Sequence, residues 1–284
     1  MPFVSRFRLL SNSGQRSLIV FGALIVASVV IMTVMSPYIS PYNPAEISVG
    51  PILSPPSSKF PLGTNSLGQD MLSRVLSGGG TMLEVSSLSV VICLAIGVPI
   101  GLLTSYLGGA ADKIASLVMD SLYAFPGLIL AIAVAAMLGP GAINMALAIS
   151  VVYIPSYFRI VRSQALTIKE LTYVEAARAL GAKTIRIISR YVFPNLFPSV
   201  VVIVTMNFAD AILTEAGLTF IGLGLPISTP DWGWDLTLGR QLLSNGVWWV
   251  IAFPGLMIII AVFGFTILGE GLSELLNPRL EEKS

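Results

Sequence analysis

Residues 247–269 read VWWVIAFPGLMIIIAVFGFTILG and carry no charged side chain. A helix needs about 20 apolar residues to cross the hydrocarbon core of a bilayer, which is about 30 Å thick. Within lipid a helix satisfies its own backbone hydrogen bonds, whereas an irregular chain leaves them unpaired. This stretch therefore predicts a membrane-spanning helix, and it directs the search to similar runs elsewhere in the chain.

Five further runs have the same apolar character. They cover residues 17–36, 85–107, 114–138, 139–158 and 199–220. Over all 284 residues, 55% are apolar and 11% are charged, against roughly 25% charged residues in soluble domains. We therefore predict an all-α fold, a polytopic membrane helix bundle with six transmembrane helices across residues 17–276.

The distribution of basic residues predicts the orientation of this bundle. Lys and Arg accumulate in short cytoplasmic loops, and an even number of spans places both termini on the same side. With cytoplasmic termini (1–16 and 277–284), only Lys59, Arg74 and Arg240 of the 16 basic residues fall outside. The external loops are then 37–81 and 222–246, the long cytoplasmic loop is 159–198, and the expected location is the plasma membrane.

The composition also excludes several classes of site. There is no His and only one Cys, Cys93, so a Ser-His-Asp triad, a His-bound metal and an internal disulfide are ruled out. The net charge of +1 gives no sign of a nucleic-acid partner. No G-x-x-x-x-G-K-[ST] phosphate loop is present. We expect no catalytic, metal or cofactor site, and no enzymatic activity, in this chain.

The cytoplasmic loop contains a helical pattern. Apolar residues recur every three positions, at Leu171, Val174, Ala177 and Leu180. Gly181 suits the end of that helix, because glycine accepts the left-handed backbone of a C-terminal cap. A second short apolar stripe follows and ends at Pro194. Such a helix pair can lie on the inner membrane surface or project into a partner protein, and the pattern leaves both interpretations open.

Two motifs resemble those of a known family. Glu175-Ala176-Ala177 followed by Gly181 and Pro194 resembles the EAA loop of ATP-binding-cassette (ABC) importer permeases. Residues 60–70, FPLGTNSLGQD, resemble the external signature of the dipeptide/oligopeptide/nickel permease subfamily. Similar segments follow in the same order at 124–126, 138–141, 220–224, 230–233 and 277–279. The resemblance extends from about Phe60 to Leu280 and is strongest to the C-type permease subunit.

Some positions depart from the family pattern. Phe60, Asn65 and Gln69 stand where the family usually has His, Asp and Arg. Tyr191 and Phe193 replace Ile and Leu within the EAA loop, and Asn277 replaces a common Asp. The departures concern substrate and receptor detail, and they leave the EAA residues intact.

The resemblance implies a division of labour between subunits. Two P-loop ATPase subunits, which bind ATP and Mg²⁺, would lie beneath a heterodimer of this chain and a second homologous permease. Glu175, Ala176, Ala177 and Gly181 would form the helix that couples to one ATPase. An extracellular substrate-binding protein would deliver short peptides, with oligosaccharides and nickel chelates as alternative cargo.

Polar residues inside predicted spans form a second candidate site. They are Asp120, Asn207, Asp210 and Glu215. A charge at the centre of a bilayer costs a few kcal/mol unless it is paired, protonated or hydrated, so these residues should face the bundle interior. They either line a translocation pathway or bond neighbouring helices. A rival of another class is an ion-coupled secondary transporter that uses the three acids, which would transport without any ATPase.

Aromatic and glycine residues give two smaller expectations. Indole rings favour the membrane–water interface, so Trp232, Trp234, Trp248 and Trp249 are expected to form an aromatic belt. Gly97 and Gly101 form a G-x-x-x-G pattern, which favours close packing between membrane helices.

Overall fold

The computed structural model describes residues 13–226 and 228–276. Both predicted terminal segments lie largely or wholly outside this range, and so does the predicted 277–279 motif. The described residues are helices joined by turns, and their only β-type pairing is an isolated bridge between Thr64 and Asp70. The predicted all-α class is confirmed.

Ten α-helices make up the described chain. They are α1 (Ser13–Ile39), α2 (Met71–Leu107), α3 (Gly109–Tyr123), α4 (Gly127–Leu138), α5 (Ala142–Ile168), α6 (Thr172–Ala179), α7 (Thr184–Ile187), α8 (Phe193–Phe220), α9 (Trp232–Leu242) and α10 (Trp249–Leu276). A π-helical turn, Ile188–Val192, joins α7 to α8, and a 3₁₀ turn, Leu243–Asn245, follows α9.

Five helices in the described range are long and apolar enough to cross a membrane. They are α1 from Arg16, α2, α5, the continuous helix Thr184–Phe220, and α10. A sixth span exists only if α3 and α4 count as one, because the two helices meet at an angle of 93°. The predicted span 114–138 therefore consists of two helices joined at a sharp bend. Pro126 lacks a backbone N–H and disfavours helix at the residue before it, so the chain turns there.

Several helices are longer than the uncharged runs that predicted them. α2 begins at Met71 instead of residue 85, because the Asp70 carboxylate accepts the backbone N–H of Ser73 at 2.9 Å and caps the helix. α5 continues to Ile168, ten residues beyond its uncharged run. The expectation that the second cytoplasmic helix ends at Pro194 is wrong. Pro194 lies in the first turn of α8, where the missing N–H costs little, and the helix continues to Phe220.

The G-x-x-x-G prediction is confirmed where α2 packs on α5. A Cβ atom on Gly97 would lie 2.7 Å from Tyr157 Cβ, and one on Gly101 would lie 2.8 Å from the Phe158 carbonyl oxygen. The missing side chains let the two helix backbones approach closely. Cys93 is buried in the same helix, as a small apolar side chain would be.

The aromatic-belt prediction is wrong for two of the four tryptophans. Trp232 and Trp249 are only 1% and 7% exposed. Their indole N–H groups donate to the backbone oxygens of Val75, at 2.8 Å, and Thr64, at 3.0 Å. Both rings therefore hold the two predicted external segments against the bundle. Burial of each indole is tolerated because its N–H has a hydrogen-bond partner.

Candidate functional site

The predicted coupling segment is a short helix held between two long ones. α6 ends at Ala179, and Gly181 follows with a positive φ of 79°. The N–H of Ala182 bonds back to the Ala177 carbonyl at 3.1 Å, which closes the turn. The sequence prediction of a helix, a glycine break and a second helix is confirmed.

One face of α6 packs on the bundle and the other is open. Val174 is fully buried and Ala177 is 7% exposed. Val174 belongs to an apolar cluster with residues of α2, α5 and α8, including Tyr157, Phe158 and Leu196. Of the four predicted coupling residues, Glu175, Ala176 and Gly181 are exposed, whereas Ala177 faces the bundle. Three of the four are therefore accessible to a partner.

Apolar side chains surround the exposed glycine turn. Leu180 is 88% exposed and Ile185 is 67% exposed. A cavity of about 430 Å³ opens beside them. It is lined by Ala177, Leu180, Gly181, Ala182, Arg186, Arg190 and Tyr191. A protruding apolar residue beside a basic cavity is a surface that suits a protein partner with acidic groups.

The four predicted pathway residues are not brought together within this chain. Asn207 and Glu215 are 7% and 0% exposed, and with Ala211 they form one buried stripe of α8. Asp210 lies outside this stripe and is exposed. Asp120 is exposed on α3, where its carboxylate accepts a hydrogen bond from Arg159 at 3.0 Å. The expectation that these groups face the interior of the bundle therefore holds for Asn207 and Glu215, but not for Asp120 and Asp210.

The surroundings of Asp210 are polar on one side only. The Tyr153 hydroxyl lies 2.7 Å from Thr214 Oγ1 and 3.2 Å from the Asp210 carbonyl oxygen. Within the described residues, no side chain donates to the Asp210 carboxylate itself. An exposed carboxylate without a partner in a spanning helix requires a polar environment from outside this chain.

A buried ionic cluster, which the sequence did not reveal, links α2, α8 and α9. Arg74 Nε donates to Asp235 Oδ1 at 2.7 Å, and both side chains are 0% exposed. Asp231 caps α9 by accepting the Trp234 N–H at 2.9 Å. Glu215 accepts a hydrogen bond from Thr219 at 3.1 Å and faces Asp231.

Burial sets the acidity of the two cluster acids that lie outside the spans. Burial raises the pKa of Asp235 to about 6, although the Arg74 guanidinium acts against this rise. Burial also raises the pKa of Asp231, against the hydrogen bond from the Trp234 backbone. Because the pKa of Asp235 is about 6, the charge of this cluster changes as the pH passes through that value. Within the described residues, no group of three or more His, Cys, Asp or Glu side chains is placed to hold a metal.

The sequence did carry two weak signals of this cluster. Asp70 and Ser73 form a helix-capping pattern ahead of Arg74, and Asp231 stands in the same relation to Trp234. These signals place Arg74 and Asp235 in the first turns of helices. They do not pair them, because the pairing spans 161 residues of sequence.

The segment 60–70 is a compact turn structure at the start of α2. Gly63 and Gly68 adopt positive φ angles of 76° and 68°. The Asn65 amide donates to Gln69 Oε1 at 2.8 Å, and Asn65 Oδ1 accepts the Gln69 backbone N–H at 3.0 Å. Thr64, Asn65 and Gln69 are all 0% exposed. These two amides thus form a neutral hydrogen-bonded pair at positions where the resembled family usually has Asp and Arg.

Comparison with known proteins identifies relatives over most of the chain. A family model described as "Binding-protein-dependent transport system inner membrane component" matches residues 97–282. The chain is 38% identical over 266 residues to the di/tripeptide transport system permease protein DppC of Pseudomonas aeruginosa, covering 92% of this chain and 88% of the relative.

Two further relatives carry related names. The chain is 37% identical over 262 residues to the probable D,D-dipeptide transport system permease protein DdpC of Escherichia coli, covering 92% of this chain and 88% of that protein. It is 40% identical over 226 residues to the glutathione transport system permease protein GsiD of Pectobacterium atrosepticum, with coverages of 80% and 75%.

Proposed function

The chain belongs to the family of binding-protein-dependent transport system inner membrane components, and from this premise we propose that it forms half of the translocation pathway of an ATP-driven importer of short peptides. It is a multi-pass membrane permease subunit of an ABC transport system. The peptide cargo is supported by the names of its relatives, which are permeases for di- and tripeptides, D,D-dipeptides and glutathione.

The proposed assembly contains three kinds of partner. A second, homologous permease completes the pathway, two P-loop ATPases on the cytoplasmic side bind ATP and Mg²⁺, and an external binding protein delivers the peptide. This chain binds no cofactor and hydrolyses no ATP in the proposal. The proposed location is the plasma membrane. The excess of basic residues in the segments assigned to the cytoplasm supports an orientation with both termini on that side.

The position of α6 is the observation that carries the coupling proposal. α5 ends at Ile168, three residues before α6, and the continuous helix Thr184–Phe220 begins three residues after Gly181. Val174 ties α6 to the apolar cluster between these long helices. A partner that pushes on α6 would therefore move two spanning helices together, because a packed core transmits displacement rather than absorbing it.

Within the pathway proposal, Asp210 is the residue that lines the route. Its carboxylate is exposed on a spanning helix, and contact with lipid would cost a few kcal/mol. A hydrated route shared with the second permease would avoid that cost. Asn207 and Glu215 act instead inside this chain, and Asp120 is neutralised by Arg159.

The test is transport by the reconstituted importer in vesicles that contain ATP. We expect Glu175→Arg and Ala176→Arg to insert normally but to lose ATPase association and peptide uptake, because both positions are exposed on α6. Ala110→Arg, at an exposed position in the first turn of α3, is the matched control and should transport normally. Normal uptake by both α6 variants would remove the coupling proposal. Uptake by this chain without ATPase subunits would instead establish the secondary transporter.

A further inference from the structure

A second cavity lies between the end of α2, the end of α5 and α6. Its volume is about 380 Å³, within the range of roughly 300–1,000 Å³ that is usual for ligand pockets. Its lining consists of Tyr106, Leu107, Lys169, Glu170, Arg178, Ala182, Thr184 and Ile187. The cavity is separate from the acidic groups of α8 and does not include Glu175, Ala176 or Gly181.

Two cations are held at this cavity by contacts with α2. Lys169 Nζ donates to the Ser105 carbonyl oxygen at 3.1 Å, at the end of the helix. The guanidinium of Arg178 lies 5.9 Å from the centre of the Tyr106 ring. These contacts reduce the freedom of both long side chains before a ligand arrives, so less entropy is lost on binding. Glu170 is the one acid in the lining, and the cavity carries a net charge of +1 from these three groups.

The sequence around the cavity predicts that it lies at the depth of lipid headgroups. Leu107 ends an uncharged run that starts at Val85, and it is 66% exposed. α3 begins two residues later and exposes Ile114 and Leu117, at 64% and 69%. A basic pocket with a tyrosine beside exposed apolar side chains is the arrangement that recognises an anionic lipid headgroup between membrane helices.

We propose that this cavity binds the phosphate of an anionic phospholipid, with Lys169 and Arg178 contacting the phosphate and the acyl chains lying along the exposed face of α3. The bound lipid would join α6 to the ends of α2 and α5, next to the segment that the proposed function assigns to coupling. The lipid site does not depend on the identity of the cargo.

The experiment measures lipid binding to the purified importer complex by native mass spectrometry, with added phosphatidylglycerol or phosphatidylcholine. We expect selective binding of phosphatidylglycerol. Lys169→Gln and Arg178→Gln should each weaken it about fivefold, since one basic residue near a membrane surface contributes on the order of a fivefold change in affinity. Arg16→Gln, which removes an exposed cation of α1 outside the cavity lining, is the matched control and should bind as the parent does.

A further variant is expected to strengthen lipid binding, and it tests the proposal even if Lys169→Gln disturbs the end of α2. Glu170 is exposed, so Glu170→Gln should leave the fold intact and tighten phosphatidylglycerol binding severalfold. Unchanged affinity in Glu170→Gln and Arg178→Gln would overturn the proposal. Equal loss in Arg16→Gln would overturn it as well, because it would show a diffuse charge effect.

Two further measurements distinguish a lipid in this cavity from free phosphate and from an ATPase subunit. If inorganic phosphate binds the parent but not Arg178→Gln, whereas phosphatidylglycerol binds both equally, the cavity binds free phosphate and the lipid proposal fails. If Arg178→Gln keeps its lipid but releases the ATPases, the cavity belongs to the protein interface and the proposal fails. Failure of peptide uptake alone leaves the lipid result unaffected, so the two proposals are tested separately.

Discussion

Arg74 and Asp235 form an ion pair of 2.7 Å across 161 residues of sequence, with both side chains excluded from solvent. Arg74 also donates to the Pro44 carbonyl oxygen at 3.2 Å. One guanidinium therefore joins the start of α2, the segment before it and the first turn of α9. A buried pair contributes little net free energy over apolar residues of the same size, but breaking it leaves a charge without compensation.

Removal of one partner should therefore destabilise the protein strongly. We expect Arg74→Met to lower the free energy of unfolding by about 3–5 kcal/mol, because Asp235 then remains buried without its cation. The double variant Arg74→Met/Asp235→Leu should recover most of the loss. Thermal unfolding of the complex in nanodiscs measures both. Asp120→Asn breaks an exposed pair and should change little, and equal effects in the two single variants would contradict the argument.

The helical architecture could be predicted from the sequence, because apolar runs and helix breaks are local features of the chain. Uncharged runs located the spanning helices, and Gly181 located the break in the coupling segment. The runs underestimated α2 because Arg74 and Glu84 interrupt it, although both lie in one continuous helix. Pro126 marks the position of the 93° turn between α3 and α4 but not its size, because the angle depends on what the two helices pack against.

The candidate site was predictable only in part, for a different reason. Exposure of Glu175 and burial of Ala177 follow from which side of α6 meets the bundle. The three-residue stripe indicated that side only at its centre, because Val174 and Ala177 are buried whereas Leu171 and Leu180 are exposed. The buried cluster was not predictable, because the contact of Arg74 with Asp235 is set by tertiary packing. The indole of Trp232 is buried for the same reason, since its partner is a carbonyl oxygen of α2.

Stability should depend on pH through Asp235. Its pKa is raised to about 6 by burial, whereas an unfolded Asp ionises near 3.9. The folded state therefore binds more protons between these values, so the contribution of Asp235 is fully present below about pH 4 and is lost as the pH rises through about 6. Unfolding measured from pH 4 to 8 should show this fall relative to Asp235→Asn. A parent and variant that run parallel over that range would refute it.

Close packing of α2 on α5 should be sensitive to a single methyl group. Gly101→Ala places a Cβ 2.8 Å from the Phe158 carbonyl oxygen, which is a backbone atom and cannot move aside cheaply. Gly80→Ala in the same helix meets only the Thr33 methyl at 3.4 Å. Both changes gain about 1 kcal/mol of helix propensity. We expect Gly80→Ala to be neutral or stabilising in thermal unfolding and Gly101→Ala to be destabilising; the reverse order would contradict the packing.

The exposed carboxylate of α8 should matter for transport and not for assembly. We expect Asp210→Asn to reduce peptide uptake by roughly tenfold, equivalent to about 1.4 kcal/mol, while ATPase association is unchanged. The reason is that the proposed route loses its negative charge at a position open to it. Asp120→Asn is the control, since Arg159 already neutralises that carboxylate. Parent-like uptake by Asp210→Asn, or equal loss in both variants, would exclude Asp210 as the route residue.

The neutral amide pair of the 60–70 segment should be exchangeable for a charged one. Asn65 and Gln69 are joined at 2.8 Å and are both fully buried, so Asn65→Asp alone adds a buried charge without a cation beside it. Gln69→Arg alone adds the opposite charge in the same place, and each single variant should lose several kcal/mol of stability. The double variant Asn65→Asp/Gln69→Arg should regain most of that loss. Asp Oδ1 can still accept the backbone N–H of residue 69, at the present 3.0 Å, and the other carboxylate oxygen can accept from the guanidinium. A double-mutant cycle on the melting temperature measures the coupling, and additive losses would show that the two side chains do not act as a pair.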